Sequence, residues 1–444
     1  MRLLKLSLAT AVIGCFGVAN ASDSLVDALT GGKLNGKVQA TYVDQKDETS
    51  SVHDEELLGV QFELGYTTGS FYGFRLGVTG QANLLPINEK KKNNTMYDKE
   101  WRTEGFTLSE AYIGYMINQT DIKFGRQYVT TPLVAGNYTR AFKEAFEGLT
   151  IRDKSLPNTT LIGGWYYKFQ GRSAVVSGHK NGHAPKFKDK TIIGGMGPVA
   201  FKFDNIFTGA IINEPMENLK LTGAYARVTD LEAKPSAKGD INLFLAEMNL
   251  KFPLELFSLG FDANYKGSRT TDTLDNLNYE GDMLGFRAGI YDLAGFNASY
   301  AYTTVSDDDA LLFGVGNGPG SYTFLPIRGP FVFTGFAGMD THKFILGYDF
   351  GAIGLNGLKT SFQYVKGEQD APNVNAGATK KGERMDIEGW AAIASYNIPQ
   401  VKGLSASVTY VELERENYDA ANKVTKTDQN ELWLQLGYKF NLFE

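Results

Sequence analysis

Residues 430–444 read NELWLQLGYKFNLFE. Every even position from Leu432 to Leu442 is apolar (Leu432, Leu434, Leu436, Tyr438, Phe440, Leu442), while Gln435, Gly437, Lys439 and Asn441 fill positions between them. A strict period of two means a strand, because successive side chains on a pleated chain point to opposite faces. Chain ends ordinarily fray. A terminal strand with one wholly apolar face therefore needs a neighbour to pair with and something apolar to lie against.

The stripe recurs along the chain. In residues 256–266, Phe257, Leu259, Phe261, Ala263 and Tyr265 share one face, and Ser258, Gly260, Asp262, Asn264 and Lys266 the other. Val60, Phe62, Leu64 and Tyr66 alternate with Gln61, Glu63 and Gly65, and Phe74, Leu76 and Val78 with Arg75, Thr79 and Gln81. The pattern predicts about eighteen strands, near residues 34–43, 57–67, 73–83, 106–117, 121–128, 147–153, 159–168, 199–213, 218–228, 241–252, 256–266, 282–291, 295–304, 342–350, 356–365, 386–397, 402–412 and 431–442. Alternation is least regular in 147–153, 199–213 and 386–397.

Connections between these segments sort into two kinds. Short turns at 118–120, 253–255, 292–294 and 398–400 alternate with long polar stretches at 84–105, 129–146, 169–198, 305–341 and 413–430. A soluble β-sandwich has no reason to sort its loops. A transmembrane antiparallel β-barrel does: its periplasmic turns are short, its extracellular loops are long, and an even strand number leaves both ends periplasmic. Closure then pairs residues 432–442 with residues 34–43, leaving no edge in lipid, where an unsatisfied backbone group costs several kcal/mol. The apolar stripes face acyl chains and the polar faces a wet lumen.

Composition fits. The chain is 43% hydrophobic with 50 Gly, 23 Tyr, 29 Phe and 13 Pro, and its mean hydropathy of −0.23 is that of a soluble protein, as a wet-lumen barrel allows. Beyond the N-terminus no apolar run reaches the ~20 residues of a spanning helix. Tyr66, Tyr115, Tyr265, Tyr300, Tyr348, Tyr396, Tyr410 and Tyr438 lie toward stripe ends, where interfacial girdles belong.

The N-terminus is a separate object: basic Arg2 and Lys5, an apolar run over 6–18, and the small-residue site Ala19, Asn20, Ala21 predict a cleaved signal peptide over 1–21. A lipoprotein box around Cys15 is disfavoured by bulky Ile13 and by the apolar run continuing past it. Cleavage would remove the only cysteine and two basic residues, leaving 42 basic against 50 acidic residues and a formal charge of −8. That excludes thiol chemistry and argues against a nucleic-acid partner. The expected organisation is a signal over 1–21, a short periplasmic segment over 22–32 and a barrel over 33–444.

Two blocks carry a resemblance. Residues 109–151 contain GRQ (125–127), TPLV (131–134) and FEG (146–148), and residues 24–29 and 36–42 read SLVDAL and GKVQATY. In order and spacing these resemble OprD-like porins of the bacterial outer membrane. The resemblance covers about an eighth of the chain. It implies an eighteen-stranded barrel with a narrow channel, an inward fold of loop 129–146 as a constriction, and a row of basic residues guiding anionic groups.

In a pore the working groups are inward side chains and the inserted loop. Arg140, Lys143 and Arg152 are expected as cations in or beside the constriction, opposed by Glu110, Glu144 and Glu147, with Arg75 and Lys123 on the neighbouring wall. Arg126 is out of phase: the stripe through Ile122 and Phe124 sends it outward, unless a bulge at Gly125 turns it in. Leu434, Leu436, Tyr438 and Phe440 are the expected closing-strand positions. No cofactor is expected; His179 with His183, or Asp307, Asp308 and Asp309 with Ca²⁺, are metal readings for which a solvated loop is the simpler account. The stretch 314–320 is Gly-rich, but no helix follows to cradle a nucleotide, so a flexible loop is expected. Expected partners are outer-membrane lipid and lipopolysaccharide, small hydrophilic solutes, and the barrel assembly machinery through the C-terminal strand, in a monomer or homotrimer. The functional reading is a channel. An outer-membrane enzyme would need a nucleophile and base on adjoining wall positions, which the sequence does not show; a surface adhesin would use the long 169–198 and 305–341 loops.

Overall fold

A computed structural model describes residues 24–47, 55–88, 101–173, 176, 182–197, 199–327 and 333–442. The expected signal segment, Cys15, His53 and His179 lie outside the described residues. Eighteen long strands form the wall: β1 (Lys33–Asp47), β2 (Glu55–Thr67), β3 (Phe74–Asn88), β4 (Thr103–Ile117), β5 (Thr120–Gln127), β6 (Ala145–Asp153), β7 (Thr159–Gln170), β8 (Asn205–Met216), β9 (Leu219–Lys234), β10 (Ala237–Pro253), β11 (Ser258–Thr270), β12 (Asp282–Leu293), β13 (Phe296–Val305), β14 (Met339–Asp349), β15 (Leu358–Gln369), β16 (Arg384–Asn397), β17 (Leu404–Tyr418) and β18 (Val424–Leu442). Each pairs antiparallel with the next, and β18 pairs with β1 from Leu34↔Leu442 to Asp47↔Gln429. The apolar end of the chain is thus the seam that closes the barrel.

Alternation divides the wall as lipid and water demand. Leu64, Leu76, Phe286, Phe344, Leu434, Leu436 and Tyr438 are exposed on the outer face, while inward Thr41, Gln45, Ser268 and Thr303 are buried. Leu436 pairs with Ala40 and Ala406 well within the sheet. Leu436→Arg is expected to lower stability by about 2–4 kcal/mol, the cost of a midplane cation on the lipid face. Urea titration of folding into phosphatidylcholine vesicles measures it; an unchanged midpoint would mean that this face does not meet lipid.

The structure departs from the sequence pattern in three places. The segment 199–213 is two elements: Ala200–Lys202 pairs with Lys190–Gly194, and the wall strand begins at Asn205 after Phe203 turns into the interior. Residues 413–430 are mostly ladder, with pairs from Leu413↔Gln429 to Tyr418↔Val424. Glu412, Glu414, Glu416, Lys426 and Asp428 read as a polar loop because a hairpin rising above the bilayer has no lipid to face. Loop sorting also has an exception, since β9 and β10 join through residues 235–236 alone, at the end that otherwise carries the long loops.

Among the described residues several loops enter the lumen, where the sequence suggested one, and three of them pair with one another. Residues 128–144 meet residues 306–338 through the parallel bridge Val134↔Val315, with Val315 N–H donating to Leu133 O (2.9 Å) and Ala135 N–H to Val315 O (3.1 Å). Lys190–Gly194, within 171–204, adds the pairs Gly314↔Gly194 and Val315↔Ile193. The Gly-rich 314–320 stretch is therefore paired rather than a flexible loop. Part of the lumen is consequently packed rather than wet: Leu133, Val134, Phe146, Phe169, Ile193, Leu312 and Val315 form one apolar cluster, and Leu57, Trp101, Phe142, Leu325, Ile327 and Trp433 another. Below the wall, α1 (Leu25–Thr30) is capped by Ser24 and held at the periplasmic mouth by Gly69 N–H on Ala28 O (2.9 Å) and the Tyr66 hydroxyl on Leu29 O.

Candidate functional site: the constriction

Three inner-wall residues stand in one row. Lys37 lies directly opposite Lys439 on β18 and Glu63 on β2. Like charges placed directly opposite are destabilising, so this pairing is retained against a cost. The inserted loop adds a third cation: Lys143 Nζ lies 2.6 Å from Glu63 Oε1 and 5.1 Å from the Tyr128 ring centroid. One carboxylate thus stands between two ammonium groups, with a third, Lys439, on the far side of Lys37.

Backbone contacts explain why Lys143 is held here. Its N–H donates to Gln81 Oε1 (2.8 Å), and its carbonyl accepts from Gln81 Nε2 (3.2 Å) and Gln170 Nε2 (3.0 Å). β3 and β7 therefore clip the loop from both sides. Lys37, Glu63, Gln81, Tyr138, Arg140 and Lys143 line one cavity.

The other expected residues divide. Arg75 pairs with Asp121, Arg152 lies opposite Asp121 across the β5–β6 ladder, and Lys123 Nζ stands 4.7 Å from the Tyr112 ring centroid. These four groups belong to the inner wall near the periplasmic mouth, so Arg152 is not beside the constriction. Glu110 faces inward, accepting from Thr79 Oγ1 (2.7 Å) and Tyr128 N–H (3.3 Å). Arg140 is lodged against aromatic rings, 4.4 Å from the Trp433 centroid and 5.5 Å from that of Trp101, and donates to Ile327 O at 3.2 Å. Its charge works mainly in docking the loop. Arg140→Ala is expected to lose about 1–2 kcal/mol of cation–π attraction, read as loop proteolysis at lower protease dose with the barrel still folded.

Two glutamates are misplaced by the sequence reading. Glu144 is fully buried and binds loop to loop: it accepts from Asn137 N–H (2.8 Å), Asn317 N–H (2.9 Å) and Asn317 Nδ2. Burial pushes its carboxyl above the usual range, against the pull of Arg172 and the Asn317 and Asn137 donors. Glu147 is on the outer wall, because the ladder Ile122↔Ile151, Phe124↔Leu149, Arg126↔Glu147 runs without a bulge. Arg126 is outward by the same register, Gly125 notwithstanding its φ of 123°.

The facing wall went unread. Lys266 and Lys343 donate to Gly320 O and Phe324 O, Tyr322 O–H donates to Glu247 Oε1 (2.6 Å), and Arg287 Nε meets Asp262 Oδ2 (2.7 Å). The first three bonds hold residues 320–324 inside the barrel, and Arg287, a wall residue, lies 4.7 Å from the Tyr322 ring centroid. Lys37, Lys439 and Glu63 were also missed, though the phase of β18, β1 and β2, once paired, turns all three inward. His342 is on the outer wall, bonded to the Tyr300 hydroxyl at 2.7 Å. Among the described residues no group of three His, Cys, Asp or Glu side chains could hold a metal ion, and Asp308 already accepts from Asn373 N–H at 2.8 Å.

A closed eighteen-strand wall with loops drawn inward onto a charged row is porin architecture, and the profile of the outer membrane porins of the OprD family matches residues 29–442. The chain belongs to this family. Among solved structures it is similar to OccAB2 of Acinetobacter baumannii, with a TM-score of 0.75 at 14% identity over 94% of this chain and 99% of that one. It is also similar to OccK9 (OpdG) of Pseudomonas aeruginosa, at 0.74 and 16% over 93% and 100%, and to OccK3 (OpdO) of the same organism, at 0.69 and 17% over 94% and 98%. No curated protein matches by sequence. As an OprD-family porin it is an outer-membrane channel for small solutes.

Proposed function

We propose that this OprD-family porin passes small hydrophilic solutes with a preference for those carrying an anionic group, and that Lys37, Lys439 and Lys143 set the preference. The observation that carries the reading is the cross-strand lysine pair, with Glu63 opposite Lys37 and a third lysine already on Glu63. An anion entering the row relieves the repulsion there. Arg75, Lys123 and Arg152 extend the positive wall toward the periplasmic mouth, so an anion leaving the lysines meets further cations.

We assign the lumen no catalytic step, and no cofactor or metal. Residues 1–21 would direct export and 22–32 would form the periplasmic foot. β18, with Leu434, Leu436, Tyr438 and Phe440 outward, would present the assembly signal to the barrel assembly machinery, and the outer wall would meet lipid and lipopolysaccharide. The pore lies within one chain, so the reading holds for a monomer or a homotrimer. Parts of the loops that suggested adhesion, residues 190–194 and 311–315, pack inside the barrel instead. Swelling of liposomes containing the purified porin tests the proposal: a dicarboxylate should enter several-fold faster than a neutral sugar or a diamine of similar size, and equal rates would contradict it.

A further inference from the structure

We propose that the outer wall of this porin carries a binding site for the phosphate groups of outer-leaflet glycolipid, formed by Arg126 and Lys168 at the extracellular ends of β5 and β7. The inference goes beyond the channel reading, since neither residue faces the lumen.

Three arginines on the outer face permit a comparison. Arg269 holds Asp282 through both terminal nitrogens, at 3.0 Å, and Arg227 holds Asp240 through Nε (3.0 Å) and Nη2. Each has an acid of its own. Arg126 does not: Glu147 takes only its Nε (3.0 Å), and the same carboxylate is shared with Lys168 Nζ (3.3 Å) and the Tyr167 hydroxyl (3.1 Å). The two terminal nitrogens of Arg126 have no partner among the described residues. Two cations on one carboxylate leave a net positive charge.

The surroundings say what could neutralise it. Phe124 and Ile151 lie below on the same outer face; the Trp165 and Tyr167 rings, 5.3 Å apart and tilted, stand beside them with Lys168 Nζ 5.4 Å from the Tyr167 centroid, the residues of an interfacial belt. Phe187, from the loop between β7 and β8, covers the guanidinium at 4.6 Å and fixes its plane. An oriented guanidinium with two free donors at the top of an apolar wall suits a phosphate oxygen pair, because the fork binds such groups bidentately. Acyl chains on the wall below and phosphate on the cations above describe one amphiphile.

The test uses the purified full chain in detergent and fluorescently labelled rough lipopolysaccharide, read by anisotropy. Arg126→Gln with Lys168→Gln is expected to weaken binding at least about tenfold, an Arg–phosphate bond pair being worth more than 1.4 kcal/mol. Dephosphorylated lipopolysaccharide should bind the unmodified porin as weakly. Glu147→Gln, which frees both cations, should tighten binding several-fold, and Arg269→Gln should leave it unchanged. Inorganic phosphate equimolar with the lipid phosphate should not compete, since it lacks the acyl contribution; full competition would overturn the assignment to lipid. Equal affinity of the double variant, or of the dephosphorylated lipid, would overturn the site. Should the double variant fail to insert, Glu147→Gln decides alone, with unchanged or weaker binding as the contrary result. Single-channel conductance should be the same in every variant, so failure here and failure of the channel reading are separable.

Discussion

Replacing Lys37 and Lys439 together by glutamate is expected to reverse the ion preference of the pore. Each charge contributes roughly 1 kcal/mol to an ion ~4 Å away even at the dielectric of water, and the double change moves the local charge by four units. Screening over a Debye length of about 10 Å at 0.1 M salt reduces the effect, but a shift of at least about tenfold in the anion-to-cation permeability ratio remains. The reversal potential under a salt gradient should change sign. Folding should survive, because the like-charge pair exchanges its sign and the new repulsion between position 37 and Glu63 is offset by Lys143, which stays on Glu63. A reversal potential unmoved by both substitutions would take the terminal-strand lysines out of the conduction path.

Glu144→Ala should have the largest effect on pore shape. It leaves three donors, Asn137 N–H, Asn317 N–H and Asn317 Nδ2, without their acceptor. Each buried donor left unsatisfied costs about 1–3 kcal/mol. That is enough to undock residues 128–144 from 306–338 while the wall, held by its own ladders, stays closed. The expected result is a several-fold rise in conductance with noisy openings, and an unaltered heat-dependent shift in gel mobility. Glu144→Gln, which keeps one acceptor oxygen, should fall between. A variant with ordinary quiet openings would show that this clasp does not shape the channel.

The wall was legible because lipid imposes a local rule on it. At Phe62, Leu64 and Tyr66, at Phe74, Leu76 and Val78, and from Phe257 to Tyr265, one face must be apolar and the next residue need not be, so phase can be read from a few consecutive letters. Closure followed from the same rule applied to the last strand, since an open edge in lipid is too costly. Where lipid ends, the rule ends. Residues 413–430 are as regular a ladder as any other, but Glu412 through Asp428 stand in water and carry no stripe.

The constriction was legible only in part, for a related reason. Its loops are placed by contacts between residues far apart in the chain: Asn137 with Asn317, Gln81 with Lys143, Lys266 with Gly320. No spacing within a loop announces these. Charges in the loop could be named, but whether a side chain faced water, a ring or a carboxylate could not. Lys143 faces the row, Arg140 lies against Trp433, and Glu144 is sealed between loops. Glu147 was misjudged because it follows the loop closely in sequence, although its register with Phe124 and Arg126 puts it outside. The wall lysines were recoverable: Lys439 is inward by the stripe first noticed, and pairing β18 with β1 brings it to Lys37.

The central claim is that an aqueous, positively charged path remains between the packed loops and the lysine row. Recording purified porin in a planar bilayer under a tenfold potassium chloride gradient tests it directly. The account predicts discrete openings whose reversal potential has the sign of chloride selectivity. A bilayer that stays electrically silent with folded protein inserted, or a reversal potential of the potassium sign, would contradict it.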